Sequence, residues 1–172
     1  VIVHWGWSPN GWLITRDYKD FAGSGVVHLT GGTIALMGAI VVGARKFRWL
    51  KEYEDRFRPN NKPLAAFGTI VLWFGWYGFN CGSTLSALDD SPKTIVRVAV
   101  NTTLGSASGG VTALFIYWFR NRKEDEQFDV LFVCNGILAG VVGVTSSCNN
   151  IETWAAVLIG IIAAFVYTFY SW

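Results

Sequence analysis

Long uncharged apolar stretches alternate with short polar breaks along this chain. That alternation predicts helices that each cross a lipid bilayer. Five stretches stand out, at residues 21–44, 64–88, 94–119, 130–145 and 153–172. The first, second, fourth and fifth contain no Asp, Glu, Lys or Arg, and the third carries only Arg97 near its start. A bilayer core about 30 Å thick needs roughly 20 apolar residues in a helix, so the fourth stretch is short for a full crossing. The polar break Ser146-Ser147-Cys148-Asn149-Asn150-Ile151-Glu152 divides the last two. Without it, 130–172 would read as one overlong run. The expected fold class is all-α integral membrane, with five transmembrane helices.

Composition strengthens that reading. A chain of 172 residues would suit one soluble domain, but 52% are hydrophobic and only 15% charged, against about 25% charged in globular domains. A water-soluble enzyme, a nucleic-acid module and a secreted disulfide scaffold are all excluded at this step. The net charge of +2 says less than where the charges lie. Arg45, Lys46, Arg48, Lys51, Arg56, Arg58 and Lys62 crowd the loop 45–63 against Glu52, Glu54 and Asp55, and Arg120, Arg122 and Lys123 open the loop 120–129. The loop 89–93 has one Lys and two Asp, and 146–152 has no basic residue. The positive-inside rule therefore puts 45–63 and 120–129 on the cytoplasmic side, with the N-terminal segment outside and the C-terminus inside. The plasma membrane is the expected location, with an organelle membrane as the alternative. The start at Val1 rather than Met suggests a point inside a larger protein.

Glycine placement suits a packed helix bundle, because 17 of 19 glycines fall inside the five spans. Gly105/Gly109 and Gly136/Gly140 have the spacing that lets helix backbones approach closely. Gly68, Gly75 and Gly82 recur every seven residues as a smooth stripe. No glycine pattern of a nucleotide-binding loop is present. Cys81, Cys134 and Cys148 have no CxxC spacing, which favours small packing residues over a metal site or redox pair. No cofactor or nucleic-acid partner is expected.

Polar residues inside apolar helices carry the candidate chemistry, since they are costly in hydrocarbon and face the protein interior or a water-filled cavity. His28 lies about one third of the way into the first span. A neutral imidazole donates from one ring nitrogen and accepts at the other, so it could line a narrow path or simply bond a neighbouring helix. Asp20 opens the same helix, where a carboxylate caps free backbone N–H groups. It could also favour a cation at a pore mouth. Trp76, Phe79 and Ser83 sit in the aromatic and glycine-rich stretch 74–83. Aromatic faces attract desolvated cations by about 0.5–2 kcal/mol, and a hydroxyl accepts a hydrogen bond from an ammonium-type donor. An interfacial aromatic belt explains the rings equally well, and Trp5, Trp7 and Trp12 share that ambiguity. Asn101, Thr102, Thr103 and Asn135 are expected to bond across helices.

These residues also carry a family resemblance. Asp20 to His28, DFAGSGVVH, resembles the signature of the ammonium transporter (Amt/Mep/Rh) superfamily, and its continuation DFAGSGVVHLTGG is most similar to the plant-type Amt branch. LWFGWYGFNCGS resembles the sixth family helix and VAVNTTLGSASGG the seventh. VCNGILAGVVGVTSSCNNIETWAA resembles the eighth and the start of the ninth. The resemblance covers essentially the whole chain and implies the fifth to ninth helices of an eleven-helix ammonium-transporter fold.

The resemblance also implies roles, residue by residue. Trp7, in HWGW, resembles the aromatic that cups ammonium at an outer vestibule. Ser83 resembles the hydroxyl that hydrogen-bonds it there, and Asp20 the carboxylate that stabilises the recruitment site. Phe79 resembles a gate phenylalanine, with Trp76 one turn away. His28 resembles the first of two stacked pore histidines, near which the cation gives up its proton. The second histidine and the other gate phenylalanine belong to the tenth and third family helices. Phe132 stands where the plant-type pattern has an aspartate, with Asp129 three residues earlier.

Ammonium or methylammonium transport is the implied function, with membrane lipid around the chain and a homotrimer as the implied assembly. The alternative is a truncated homologue serving as a structural subunit of a larger membrane complex. An enzyme is not expected, because no paired catalytic groups are visible.

Overall fold

The computed structural model describes residues 1–88, 91–123 and 128–171. Asp89 and Asp90 of the acidic loop, the centre of the loop 120–129, and Trp172 at the expected end of the last span lie outside the described residues. Among the described residues the fold is entirely helical. Six α-helices follow in order: α1 Ile2–Trp7, α2 Thr30–Val42, α3 Lys62–Gly82, α4 Ser91–Asn121, α5 Val130–Val144 and α6 Thr153–Ser171. Short 3₁₀ turns at Ile14–Arg16 and Lys51–Phe57 and a π-helical segment, Ser24–Leu29, complete the chain.

Helices α4, α5 and α6 pack against one another, and α3 leans on α4 and α5. Glycine makes the inner packing possible. A Cβ on Gly109 would strike the Gly136 carbonyl, one on Gly140 the Gly105 carbonyl, and one on Gly160 both the Gly105 carbonyl and the Ser108 hydroxyl. The backbones touch at these points, as small-residue spacing predicts. Ala113, Phe132 and Ala164 form an apolar core, with Tyr117 and Tyr167 rings 5.2 and 5.1 Å from that of Phe132. The Gly68/Gly75/Gly82 stripe of α3 behaves differently, because a Cβ at any of the three would meet nothing within 4 Å.

Polar bonds tie the helices together where hydrocarbon supplies no hydrophobic drive. Asn80 Nδ2 donates to Thr102 Oγ1 at 3.0 Å, and Asn101 Nδ2 donates to the carbonyls of Cys148 and Ile151 at 2.9 Å each. Asn135 donates to the Tyr167 hydroxyl, and Tyr77 and Thr103 share a bond between α3 and α4. Asn61 caps α3 by accepting from Leu64 N–H, with Pro63 in the first turn; Asp129 caps α5 through Leu131 N–H and pairs with Lys62.

Three segments, Ser24–Val42, Lys62–Gly82 and Thr153–Ser171, are long and apolar enough to cross a membrane. Helix α5, at 15 residues, rises only about 22 Å.

Two expected spans change their bounds for local reasons. The span 64–88 stops being helical at Gly82, because Ser83, Thr84 and Leu85 N–H groups bond three residues back and Leu85 takes φ +58°. The span 21–44 becomes helical only at Ser24, because Phe21 N–H bonds the Ser146 carbonyl and Ala22 N–H the Thr145 carbonyl. It closes at Val42, before Gly43 at φ +71°. Irregular backbone at membrane depth is tolerated where it is buried in protein and its polar groups are satisfied. Here the Ser146 and Thr145 carbonyls satisfy the Phe21 and Ala22 N–H groups, and in the polar break between α5 and α6 burial pushes the Cys148 thiol up to about 12.

Helix α2 stands apart, with every residue from Gly31 to Val42 exposed.

Candidate functional site

Asp20 organises the end of the molecule that carries α1. Asp20 is buried, 6% exposed, and both carboxylate oxygens accept hydrogen bonds. Oδ1 accepts from Gly23 N–H at 3.0 Å; Oδ2 accepts from Gly25 N–H at 2.9 Å, Val26 N–H at 2.8 Å and the Tyr18 hydroxyl at 3.2 Å. The carboxylate thereby caps the π-helical segment that carries His28. The capping expected from the sequence is the geometry observed. Glycine is required at two points of the turn: Gly23 holds φ +108°, and a Cβ on Gly25 would strike the Tyr18 hydroxyl. Burial raises the Tyr18 pKa, and the Asp20 charge and hydrogen bond raise it further.

Trp7 is tied to the same hub, since its indole Nε1 donates to the Asp20 carbonyl at 2.6 Å. A cavity of about 410 Å³ is lined by Trp7, Asp20, Phe21, Ser83 and Leu85. The three candidates for substrate binding therefore share one vestibule. Ser83 reaches it from the end of α3, and its hydroxyl donates to the Phe79 carbonyl at 2.8 Å. With its proton committed to the backbone, the Ser83 oxygen presents lone pairs, not a donor, to the vestibule.

One turn deeper, His28, Trp76 and Phe79 form a ring cluster. The His28 and Trp76 rings stack at 5.0 Å with 29° between planes, and Phe79 lies 5.5 Å from His28 and 6.0 Å from Trp76. Together with Val71, Leu72 and Gly75 they line a cavity of about 260 Å³. His28 also borders a second cavity, of about 440 Å³, that continues along α2 past Gly32, Thr33 and Leu36. The imidazole thus lines both spaces. Its Nε2 atom is buried with no hydrogen-bond partner, so a polar solute passing there would meet an unsatisfied group.

Thr145 and Ser24 complete the support and were not legible as site residues. Trp76 Nε1 donates to Thr145 Oγ1 at 3.0 Å, and Thr145 in turn donates to the Val141 carbonyl. Ser24 Oγ donates to the Val142 carbonyl and accepts from Ser146 N–H. Apart from the local Thr145–Val141 bond, these contacts join positions 69 to 122 residues apart. No local spacing signals them.

The fold and this arrangement define a class: an integral membrane protein of packed helices, with a polar vestibule above an aromatic and histidine cluster. The chain belongs to the Ammonium Transporter Family, whose model matches residues 1–171. It is 42% identical to Ammonium transporter Amt2 of Archaeoglobus fulgidus, over all of this chain and 37% of that protein. It is 40% identical to Ammonium transporter 1 member 3 of Solanum lycopersicum, over 96% of this chain and 39% of that one. The crystal structure of Candida albicans Mep2 matches with a TM-score of 0.83 and 34% identity, over 98% of this chain and 35% of that chain. The chain thus spans a little over a third of the length of the relatives it matches.

Proposed function

We propose that this chain supplies the outer recruitment vestibule and the first half of the conduction path of an ammonium transporter, with ammonium or methylammonium as the transported species. The observation that carries the reading is the grouping of the candidate residues. Trp7, Asp20 and Ser83 line one cavity, His28, Trp76 and Phe79 line another, with Phe79 one turn from Ser83, and His28 also lines a third along α2.

The chemistry fits each stage. Ammonium and potassium are close in size, so a cavity of fixed width discriminates poorly between them. Ser83 supplies a lone pair that an N–H donor satisfies and a bare metal ion of equal charge satisfies less directionally. The exposed Trp7 ring adds attraction of about 0.5–2 kcal/mol for a partly desolvated cation. Asp20 acts through position, because its four hydrogen bonds leave it holding the turn while its charge stays near the cavity. The Phe79 and Trp76 rings then offer no ligand to an ion that keeps its proton. The free nitrogen of His28 offers a hydrogen bond to the neutral amine beyond them, so the cation gives up its proton to water in the vestibule at this boundary and the neutral amine goes on.

The test is a chimera in which this sequence replaces the matching 37% of the Archaeoglobus relative. It is expressed in a yeast strain without ammonium uptake and assayed for growth on ammonium and for labelled methylammonium uptake. Uptake is expected, with a loss of at least tenfold in His28→Ala or a changed selectivity against potassium. A well-expressed chimera with no uptake, or His28→Ala with the parental rate and selectivity, refutes the reading.

A further inference from the structure

The connection between α2 and α3 holds a second constellation, at the membrane face opposite the vestibule. The span Ser24–Val42 leads away from Asp20 and α3 returns toward Ser83, so residues 43–61 lie at the far end of both helices. There Arg45, Arg48, Arg56 and Arg58 line one cavity of about 540 Å³ with Ala44, Trp49, Phe57 and Asn60. Within 43–61 six basic side chains face three acidic ones, Glu52, Glu54 and Asp55. Asp55 is taken by Arg58 at 3.1 Å. Arg45, Arg48 and Arg56 carry no ion pair among the described residues.

The arginines are held without being neutralised. The Arg48 guanidinium lies 5.0 Å from the Trp49 ring and 5.3 Å from that of Phe57, and Arg56 lies 4.8 Å from the Tyr53 ring. Cation–π contacts fix a guanidinium and leave its N–H fork free for an anion. An Arg fork matches the oxygens of a phosphate in geometry as well as in charge. Phe47 and Trp49 are exposed beside the forks, Trp49 at 79%. Exposed Trp beside basic residues next to a membrane span is the pairing found at the headgroup level of a bilayer.

We propose that the pocket formed by Arg45, Arg48, Arg56 and Arg58 binds the phosphate of an anionic glycerophospholipid headgroup, with the Phe47 and Trp49 rings set against its glycerol and upper acyl carbons. Three observations select a lipid over a free phosphate: the pocket starts two residues beyond the end of α2, its rim carries exposed aromatic rings, and it lies between two membrane spans. The inference is independent of what the vestibule conducts.

The experiment is native mass spectrometry of the full chain in detergent, titrated with dioctanoyl phosphatidylglycerol, dioctanoyl phosphatidylcholine, inorganic phosphate and a phosphoserine peptide. Retention of one phosphatidylglycerol is expected at a concentration at least tenfold below that needed for phosphatidylcholine. In Arg45→Gln/Arg48→Gln/Arg56→Gln this preference falls by tenfold or more, while circular dichroism reports unchanged helix content. The wild-type preference is also expected to shrink in high salt, which tests the claim without any variant. Equal retention of the two lipids, or a preference untouched by both the triple variant and salt, overturns the proposal. Inorganic phosphate or the phosphopeptide binding more tightly than phosphatidylglycerol overturns the assignment to lipid.

Discussion

Replacing Asp20 with asparagine removes a charge and one acceptor from a buried hub while keeping its shape. Four donors converge on the carboxylate, three of them backbone N–H groups at the start of the π-helical segment. Hydrogen bonds to a charged group contribute about 1.5–3 kcal/mol each, against about 1 kcal/mol for neutral ones. An asparagine oxygen placed at the Oδ2 position keeps the Gly25, Val26 and Tyr18 donors at neutral strength. Its NH₂ group then faces Gly23 N–H, and that donor is left unpaired. Three weakened bonds and one lost bond sum to about 3–9 kcal/mol, and non-additivity among donors within one turn brings this to the lower end, about 3 kcal/mol. At 2–4 °C per kcal/mol for a chain of this size, the midpoint of thermal unfolding falls by on the order of 10 °C. The assay is intrinsic tryptophan fluorescence during heating in detergent. The same variant should disturb Trp7, whose indole bonds the Asp20 carbonyl, so its low-temperature spectrum shifts as well. A midpoint within about 2 °C of the parent would refute the structural hub and leave Asp20 as a simple surface charge at the vestibule.

Thr145→Val should free the Trp76 indole at nearly constant volume, loosening its stack on His28 and lowering methylammonium uptake in the chimera several-fold, with a stability loss of about 1–3 kcal/mol from the unpaired indole N–H; unchanged uptake would count against a positioning role. Gly109→Ala should cost about 1–3 kcal/mol, because its Cβ meets the Gly136 carbonyl, whereas Gly68→Ala should leave the melting midpoint nearly unchanged; similar effects would contradict the packing described. The raised Tyr18 pKa makes a signed prediction for alkaline pH. The neutral phenol is favoured in the folded state, so its contribution to stability is complete below about pH 10, the ordinary tyrosine range, and is lost as pH rises through the folded-state value. Ultraviolet difference titration of the parent against Tyr18→Phe should show one tyrosine ionising late, and a difference centred at the ordinary value would refute it.

Much of the fold was legible because bilayer crossing is a one-dimensional property. Uncharged stretches of sufficient length announce membrane spans, and helices occur in the same five regions of the chain. Gly105, Gly109, Gly136 and Gly140 were readable as contact points because small residues four apart occupy one helix face. Gly68, Gly75 and Gly82 followed an equally regular period, yet meet open space. Spacing defines a face; only a neighbour makes it an interface. The helix bounds failed where backbone bonding, not hydropathy, decides: 21–23 and 83–88 are apolar enough for helix but are spent on contacts with 145–146 and on tight turns.

By itself the sequence determined that the chain belongs in a bilayer and which polar and aromatic residue types its helices carry. Charge is too costly in hydrocarbon to be placed casually, so its distribution along the chain carries that information directly. The grouping of Trp7, Asp20 and Ser83 around one vestibule was decided by tertiary structure, as was the stacking of His28 on Trp76. The irregular backbone near Asp20 docks against the end of α5, and the π-helical segment that follows it sets His28 against Trp76 and Phe79 of α3. Those bonds join segments more than a hundred residues apart, and hydrogen bonds at such separation leave no period in the chain to read.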